Sequence, residues 1–460
     1  MELYGRTQIF TAVKNIDITN IKEIVRKASA THQKNVTQIN YLYDYYRGKQ
    51  EVLNRDKVVN DYVLYNIAEN RAKEIVDFKT AYSFGDLVVY SATDGVVEGV
   101  DVLNDFMRLE GKGVTDLTLG EWLHICGVGY KAVFPKGYAD TVPFTVDTID
   151  PRECYVIYSN GIRKEPVACV YEIRNENDEK VVSAYAKTEG GIKFFTWTDE
   201  EAPTEEEWTL SYLPIVEYKL NSARLGAFEP VIPLLDAINN LTSARAESIE
   251  QFVESLLILI NCELPEGFTA STLKQKGVIE LPSDPQNKAE IKQLCSQLDQ
   301  TATQSLKDDM YDAVLTICSM PNRNTNDSGS NGITVIYRDG WTAASTASKL
   351  TQRYFEPSEY DTLRLVLQIC EETNALSLDL ARVKIDFTGD HYENLATKVS
   401  SLVTMLNCDW IDNHTAFRAV GMFSDPDAEC ENGIAWHEEY TAAEEEPTET
   451  EETEIGTVEI

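Results

Sequence analysis

Histidine is scarce. The five in 460 residues, at 32, 124, 391, 414 and 437, are too far apart to suggest a ligand set. No HExxH, GxSxG or GxxxxGK[ST] occurs. That removes the helix-borne zinc site, the nucleophile elbow and the Walker phosphate loop. The nine cysteines (126, 154, 169, 262, 295, 318, 370, 408 and 430) are odd in number and contain no CxxC pair. Neither a zinc knuckle nor a disulfide framework is expected. Most lie in apolar stretches such as Leu123–Val128 (LHICGV), the setting of reduced core thiols. The best apolar run, Leu256–Ile260, is far short of the ~20 residues that cross a bilayer. The start, MELYGRTQIF, lacks the basic-then-apolar order of a secretory signal. A soluble intracellular product with no metal, no cofactor and no membrane partner is expected. Positive charge is also short: 41 Lys and Arg stand against 76 Asp and Glu, a formal charge of −35. A broad basic surface that clamps nucleic acid is excluded; a locally basic site is not.

What is present is enough apolar residue for a packed interior, 43%. At roughly 100–200 residues per domain, the length gives about two to four domains. Two motifs fall short of chemistry. Gly127-Val-Gly129-Tyr-Lys-Ala132 fits GxGxxA, but a helix-like Leu119–Cys126 precedes it and a strand-like Tyr130–Pro135 follows. A dinucleotide loop needs the opposite order, so these glycines read as a helix C-cap and turn. Asn324-Thr-Asn326-Asp-Ser328-Gly329 resembles the start of a calcium loop, but Val335 stands where the bidentate Glu belongs. Paired carboxylates are too common in so acidic a chain to single any out. No catalytic residue is assigned.

Along the chain, residues 18–84 read as helical, with a tyrosine-rich Asn40–Gln50 and an apolar stripe through Asn66–Phe84. Residues 121–220 alternate strand-like runs with turns such as Ser159-Asn160-Gly161 and Glu189-Gly190-Gly191, an antiparallel β-rich region. A long helix is expected over 229–260, opened by Glu229-Pro230 and carrying a polar middle, Thr242–Ser248 (TSARAES). The polar middle suggests a strut between layers. Short strand candidates (Val278–Leu281, Ile291–Leu294) and a returning helix near Thr303–Cys318 follow, ended by Pro321. Then come a polar loop, Asn322–Gly332, a strand at Ile333–Tyr337, and a helix over Ala343–Asn374 with Pro357 as a break or kink. A strand at Ala381–Phe387 and helices at Glu393–Asn407 and Asn413–Val420 complete the body. Thr441–Ile460 holds eight Glu and no Lys or Arg and reads as disordered.

Several stretches together resemble a known family. They are Tyr45–Lys49 (YYRGK), Asn66–Gly85, Asp150-Pro151-Arg152, Leu213–Leu259, Met320-Pro321-Asn322 with Ser328–Tyr337, and Ile385–Leu402. In this order they are similar to phage portal proteins of long-tailed phages of Gram-positive bacteria. No single motif is specific; the ordered sum is the signal. The resemblance implies an α+β portal fold that forms rings: a mixed α/β wing, a two-helix stem, a small α/β clip and a helical crown. Mapped here, the wing is 1–228, the first stem helix 229–260, the clip 261–300 and the second stem helix 301–320. The channel loop and strand are 321–340, the wing return 341–389, the crown 390–440 and the disordered tail 441–460.

The function implied is a dodecameric ring at a capsid vertex through which double-stranded DNA is packaged and ejected. The partners implied are terminase, the major capsid and scaffolding proteins, and a head-completion or tail adaptor. An acidic channel suits this, because each basic contact to a phosphate adds affinity and hence friction. The few basic and amide groups near the tip and loop are the DNA-facing candidates: Lys274, Lys276, Lys307, Arg323, Asn324, Asn326 and Arg338. Tyr41, Tyr45 and Tyr46 are candidates for contacts between subunits. The alternatives are a metal-dependent nuclease, supported only by abundant carboxylates, and a capsid connector without a channel.

Overall fold

A computed structural model describes residues 5–55, 65–93, 99–137, 140–198, 201–253, 256–260, 290–294, 300–322, 340–387, 395–423 and 426–444. The chain divides into two compact units, one of residues 1–43, 75–229 and 326–460, the other of 44–74 and 230–325.

The first unit is built on sheets. Strand β1 (Ile9–Thr11) pairs in parallel with β5 (Cys154–Ser159). From β5 the chain runs antiparallel through β6 (Pro166–Arg174), β7 (Lys180–Thr188), β8 (Gly191–Thr198) and β9 (Thr204–Glu207), giving the order β1-β5-β6-β7-β8-β9. The β6–β7 turn follows from Asn175, whose Oδ1 accepts from the backbone N–H of Asn177 and Glu179, while Asp178 takes a positive φ of 62°. Helix α1 (Ile21–Tyr46) covers this sheet with Ile21, Ile24, Val25 and Ala28, spaced as one helical face, against Tyr155, Val170, Ala184 and Phe195.

A second core lies among two smaller sheets. One has the order β10 (Ile215–Lys219), β3 (Val128–Pro135), β4 (Phe144–Ile149); the other pairs β13 (Val383–Phe387) with β2 (Val88–Ala92). Against them pack α3 (Val100–Leu109) and the 32-residue helix Trp341–Glu372, through Leu103, Met107, Leu363, Val366 and Ile369. Helix α4 (Lys112–Cys126) ends at Gly127, which adopts φ 80° and leads straight into β3. Gly127 thus forms the expected helix cap, whereas Gly129, expected in the turn, lies within β3 opposite Tyr218. Pro357 neither ends nor splits the helix it lies in: Phe355, Glu359 and Thr362 on either side are buried, and their packing outweighs one lost hydrogen bond.

The second unit contains α2's first turn (α2 is Arg71–Phe84), α5 (Ile232–Val253), strands β11 (Leu256–Ile260) and β12 (Glu290–Leu294), and α6 (Gln300–Ile317). Helices α5 and α6 pack together. The helix expected over 229–260 is shorter. A 3-10 turn, Glu229–Val231, precedes it, and β11 pairs antiparallel with β12 where its last turns were expected. A five-residue apolar run has no helical period to distinguish it from a buried strand, so cross-strand pairing decided the outcome.

After the Trp341–Glu372 helix (α7) come α8 (Leu395–Leu406), α9 (Asn413–Val420) and α10 (Pro426–Glu444). Helix α10 has no counterpart in the sequence reading, and it corrects the start of the expected disorder: 441–444 are helical. Pro426 sits at the first helical position, and Ala442, Ala443 and Glu444 are strong helix formers. The rest of the tail, the strands expected at Val278–Leu281 and Ile333–Tyr337, and the loop from 323 onward lie outside the described residues.

Candidate functional site

The second unit carries a ladder of polar contacts along one face of α5. Tyr45 donates to Asp236 Oδ1 at 2.8 Å, and Asn239 Nδ2 donates to Gln50 Oε1 at 2.5 Å. Further along, three side chains accept from alternate backbone N–H groups of the non-helical segment 65–70. Asn239 Oδ1 takes Glu69 N–H at 3.0 Å, Ser243 Oγ takes Ile67 N–H at 3.0 Å, and Glu247 Oε1 takes Tyr65 N–H at 3.4 Å. The match is geometric. Four helical residues rise about 6 Å, and two residues of a nearly extended chain advance about the same distance. Steps of four on the helix therefore meet steps of two on the chain. Asn239, Ser243 and Glu247 are buried, so these contacts replace water for backbone groups that have no helix or sheet partner. The polar middle of α5 is a docking rail for 65–70.

Glu69 is the junction of this site. It accepts from Thr242 Oγ1 at 2.6 Å, pairs with Lys307 of α6, and pairs with Arg71 Nε at 3.2 Å. Burial pushes its carboxyl upward, but the hydrogen bonds from Lys307 and Thr242 and the nearby Arg71 charge hold it below the usual value. Arg71 also pairs with Glu74 at 2.8 Å and lies 4.3 Å above the Tyr311 ring. Of the DNA-facing candidates, Lys307 alone falls within the described residues, and its ammonium is committed to Glu69. Lys274, Lys276, Arg323, Asn324, Asn326 and Arg338 lie outside them.

The tyrosine candidates differ in burial. Tyr45 is buried with its hydroxyl on Asp236, a packing role that removes it from any face between subunits. Tyr46 is half-buried beneath Lys73, whose ammonium is 5.2 Å from the ring centre. Tyr41 is half-buried on α1. Their neighbour Tyr43 stacks on Trp122 at 5.1 Å, with the Arg152 guanidinium 4.8 Å from its ring.

The first unit holds a buried charge cluster that the sequence reading missed. Lys112 and Asp116, one turn apart on α4, meet Lys131 of β3 and Glu359 of α7. Lys131 Nζ lies 2.8 Å from Glu359 Oε2 and also pairs with Asp116; Lys112 Nζ lies 3.1 Å from Glu359 Oε1. Tyr90 and Tyr218 donate to the two Glu359 oxygens at 2.7 and 2.6 Å. Two cations and two anions balance, and each carboxylate oxygen of Glu359 is satisfied. Burial pushes Glu359 up, but Lys112, Lys131 and the Tyr218 hydrogen bond together hold it well below the ordinary carboxylate range. Burial, then the Glu359 charge, raises Tyr90 and Tyr218 well above the usual phenol value. A visible signal was Lys131 in the middle of the otherwise apolar strand YKAVF.

Other titratable groups nearby are held neutral. Burial, aided by the charge of Lys79, lowers His124 to about 3, and its Nδ1 lies 3.0 Å from Thr80 Oγ1. Burial raises the Cys126 thiol to about 12, the behaviour of an inert core thiol. Among the described residues no group of three or more His, Cys, Asp or Glu is placed to hold a metal ion, and no helix is long and apolar enough to cross a membrane.

Comparison with known proteins gives one result that spans these sites. The family model described as phage portal protein, SPP1 Gp6-like, matches residues 26–451. No curated protein matches the chain.

Proposed function

The chain belongs to the phage portal protein family, and from that premise we propose how its parts serve the function. A portal is a structural component of the virion, and this chain is one. We propose a closed, dodecameric ring at one capsid vertex. Double-stranded DNA enters through it during packaging, driven by terminase, and leaves through it on ejection. Scaffolding and major capsid proteins would set the ring in the shell, and a head-completion or tail adaptor would dock once terminase leaves. The single observation that carries this reading is the family match over nearly the whole length. The excess of 76 acidic over 41 basic residues supports it, since an acidic wall lets phosphates slide.

The α5–α6 pair is proposed as the stem, the residues between them as the clip, and the helices after 390 as the crown. Lys274, Lys276, Arg323, Asn324, Asn326 and Arg338 remain the proposed contacts to passing DNA. Tyr41 and Tyr46 remain the proposed assembly residues. A ring requires one face of a subunit to meet a different face of the next, which half-buried aromatic positions suit.

The test is the mass of the purified protein with negative-stain images of the same sample. The expected result is a holed ring near a dozen times 51.8 kDa. Absence of rings both alone and after co-expression with capsid and scaffolding proteins would sink the ring proposal.

A further inference from the structure

Positive charge is gathered in one place where the function just proposed does not use it. A cleft of about 830 Å³ opens in the first unit between β5, β10 and α7, and seven basic residues line it against three acidic ones. In a chain with nearly two acids for every base, an average lining would be acidic. Arg224 is used internally: it is buried and pairs with Glu217 at 2.6 Å. The other six, Arg163, Lys164, Lys187, Lys219, Arg353 and Arg364, face the cleft. Three of these have a carboxylate partner, Glu165 at 3.9 Å from Arg163, Glu356 at 3.3 Å from Arg353, and Asp361 beside Arg364. Lys164, Lys187 and Lys219 have no ion pair among the described residues. Lys164 lies 5.2 Å from the Phe10 ring centre and Lys219 lies 5.8 Å from that of Tyr354. Between the cations the lining is apolar and aromatic, with Tyr158, Tyr212, Tyr354, Leu213, Val216 and Pro357.

We propose that this cleft binds the Glu-rich C-terminal segment of the chain itself, residues 445–459. The segment's chemistry matches on both counts. It carries seven Glu with no Lys or Arg, and Ile455 and Val458 stand among them for the apolar lining. Clusters of basic side chains in a groove are a recurrent way of holding an acidic peptide. The volume is in the range of pockets that enclose a drug-sized ligand, so the cleft takes a few residues of the segment at a time. A duplex is too wide to enter a cleft of about 830 Å³ and could touch only its rim. The inference is independent of ring formation and of DNA passage.

The test is zero-length carbodiimide cross-linking of the full-length protein, read by peptide mass spectrometry. Amide links are expected from Lys164, Lys187 and Lys219 to Glu445–Glu459, roughly tenfold more abundant than those from the exposed Lys14 and Lys34, as three weak ion pairs acting together would give. Raising salt to 1 M, where the screening length is about 3 Å, should remove the excess. A variant with every tail Glu changed to Gln should lose the links while keeping the far-ultraviolet spectrum and elution volume of the parent. Acetylation of the same lysines by a neutral reagent should then rise. Mixing isotope-labelled with unlabelled chains separates a chain's own tail from its neighbour's: links within one chain are expected, and links only between chains would overturn the inference. Equal yields at cleft and control lysines would overturn it. So would lysine reactivity unchanged in the Gln variant, or protection of the cleft by duplex DNA without any tail link.

Discussion

At the scale of single residues, the buried charge cluster makes the firmest demands. Lys131 is fully buried, and removing it as Lys131→Met leaves Glu359 and Asp116 with one cation between them. Breaking a buried pair from one side costs about 3–5 kcal/mol, so urea unfolding should shift to markedly lower concentration. The charge-balanced double variant Lys131→Met/Asp116→Leu should recover part of that loss; a double variant no better than the single would refute the coupling. The titrations have a definite sign. His124 titrates near 3 in the fold against 6.5 when exposed, so its stabilisation is complete above pH 6.5 and declines as pH falls below it. Glu359 is also depressed, so its contribution holds above the ordinary carboxylate range and declines as pH falls through it. Unfolding free energy measured stepwise from pH 7 to 4 should therefore fall, and His124→Gln should flatten the slope between pH 6.5 and the carboxylate range. An unchanged slope would show that His124 is protonated in the fold.

At the scale of elements, legibility depended on how far away a residue's partner lies. The β-rich region was readable because strand runs and Gly- or Asn-bearing turns are local signals, and β3 to β8 stand where alternation and turn chemistry put them. Helix α9 coincides with the expected Asn413–Val420 because Asp412 caps it, accepting from Thr415 N–H. The polar middle of α5 was visible, but its purpose was not. The three backbone groups it serves are 170, 176 and 182 residues away in the chain. The buried cluster was hidden for the same reason, since Lys131 and Glu359 are 228 residues apart. The docking rail has its own test. Ser243→Ala leaves the part-buried Ile67 N–H without its acceptor, which costs about 1 kcal/mol locally, the low end for an unsatisfied donor. Amide exchange at Ile67 should accelerate far more than exchange within β5 to β7. Uniform acceleration would mean general loosening instead of one lost contact. Gly127 is similarly specific: a Cβ there would sit 2.3 Å from the Arg224 carbonyl oxygen, on a backbone already at φ 80°, so Gly127→Ala should destabilise the α4–β3 junction.

At the scale of the whole molecule, the question is which cations are free to meet DNA. Lys307 is held by Glu69 within the second unit, so Lys307→Ala acts first on stability: it removes a hydrogen-bonded partner from a largely buried carboxylate. The expected result is a lower melting temperature, together with a Glu69 that titrates closer to the ordinary range. Arg323 and Arg338 lie outside the described residues and are proposed to touch the DNA. Arg323→Ala should leave melting unchanged and alter packaging. In a ring each substitution is repeated in every subunit, so one phosphate contact per chain becomes many around the channel. Each such contact adds about −0.9 to the slope of log affinity against log salt. Comparing that slope between the parent ring and the Arg323→Ala ring counts the contacts directly. A shallower slope in the variant assigns Arg323 to the channel wall. An identical slope with unaltered packaging removes it from the wall, leaving transit to an acidic lining that holds DNA off instead of gripping it.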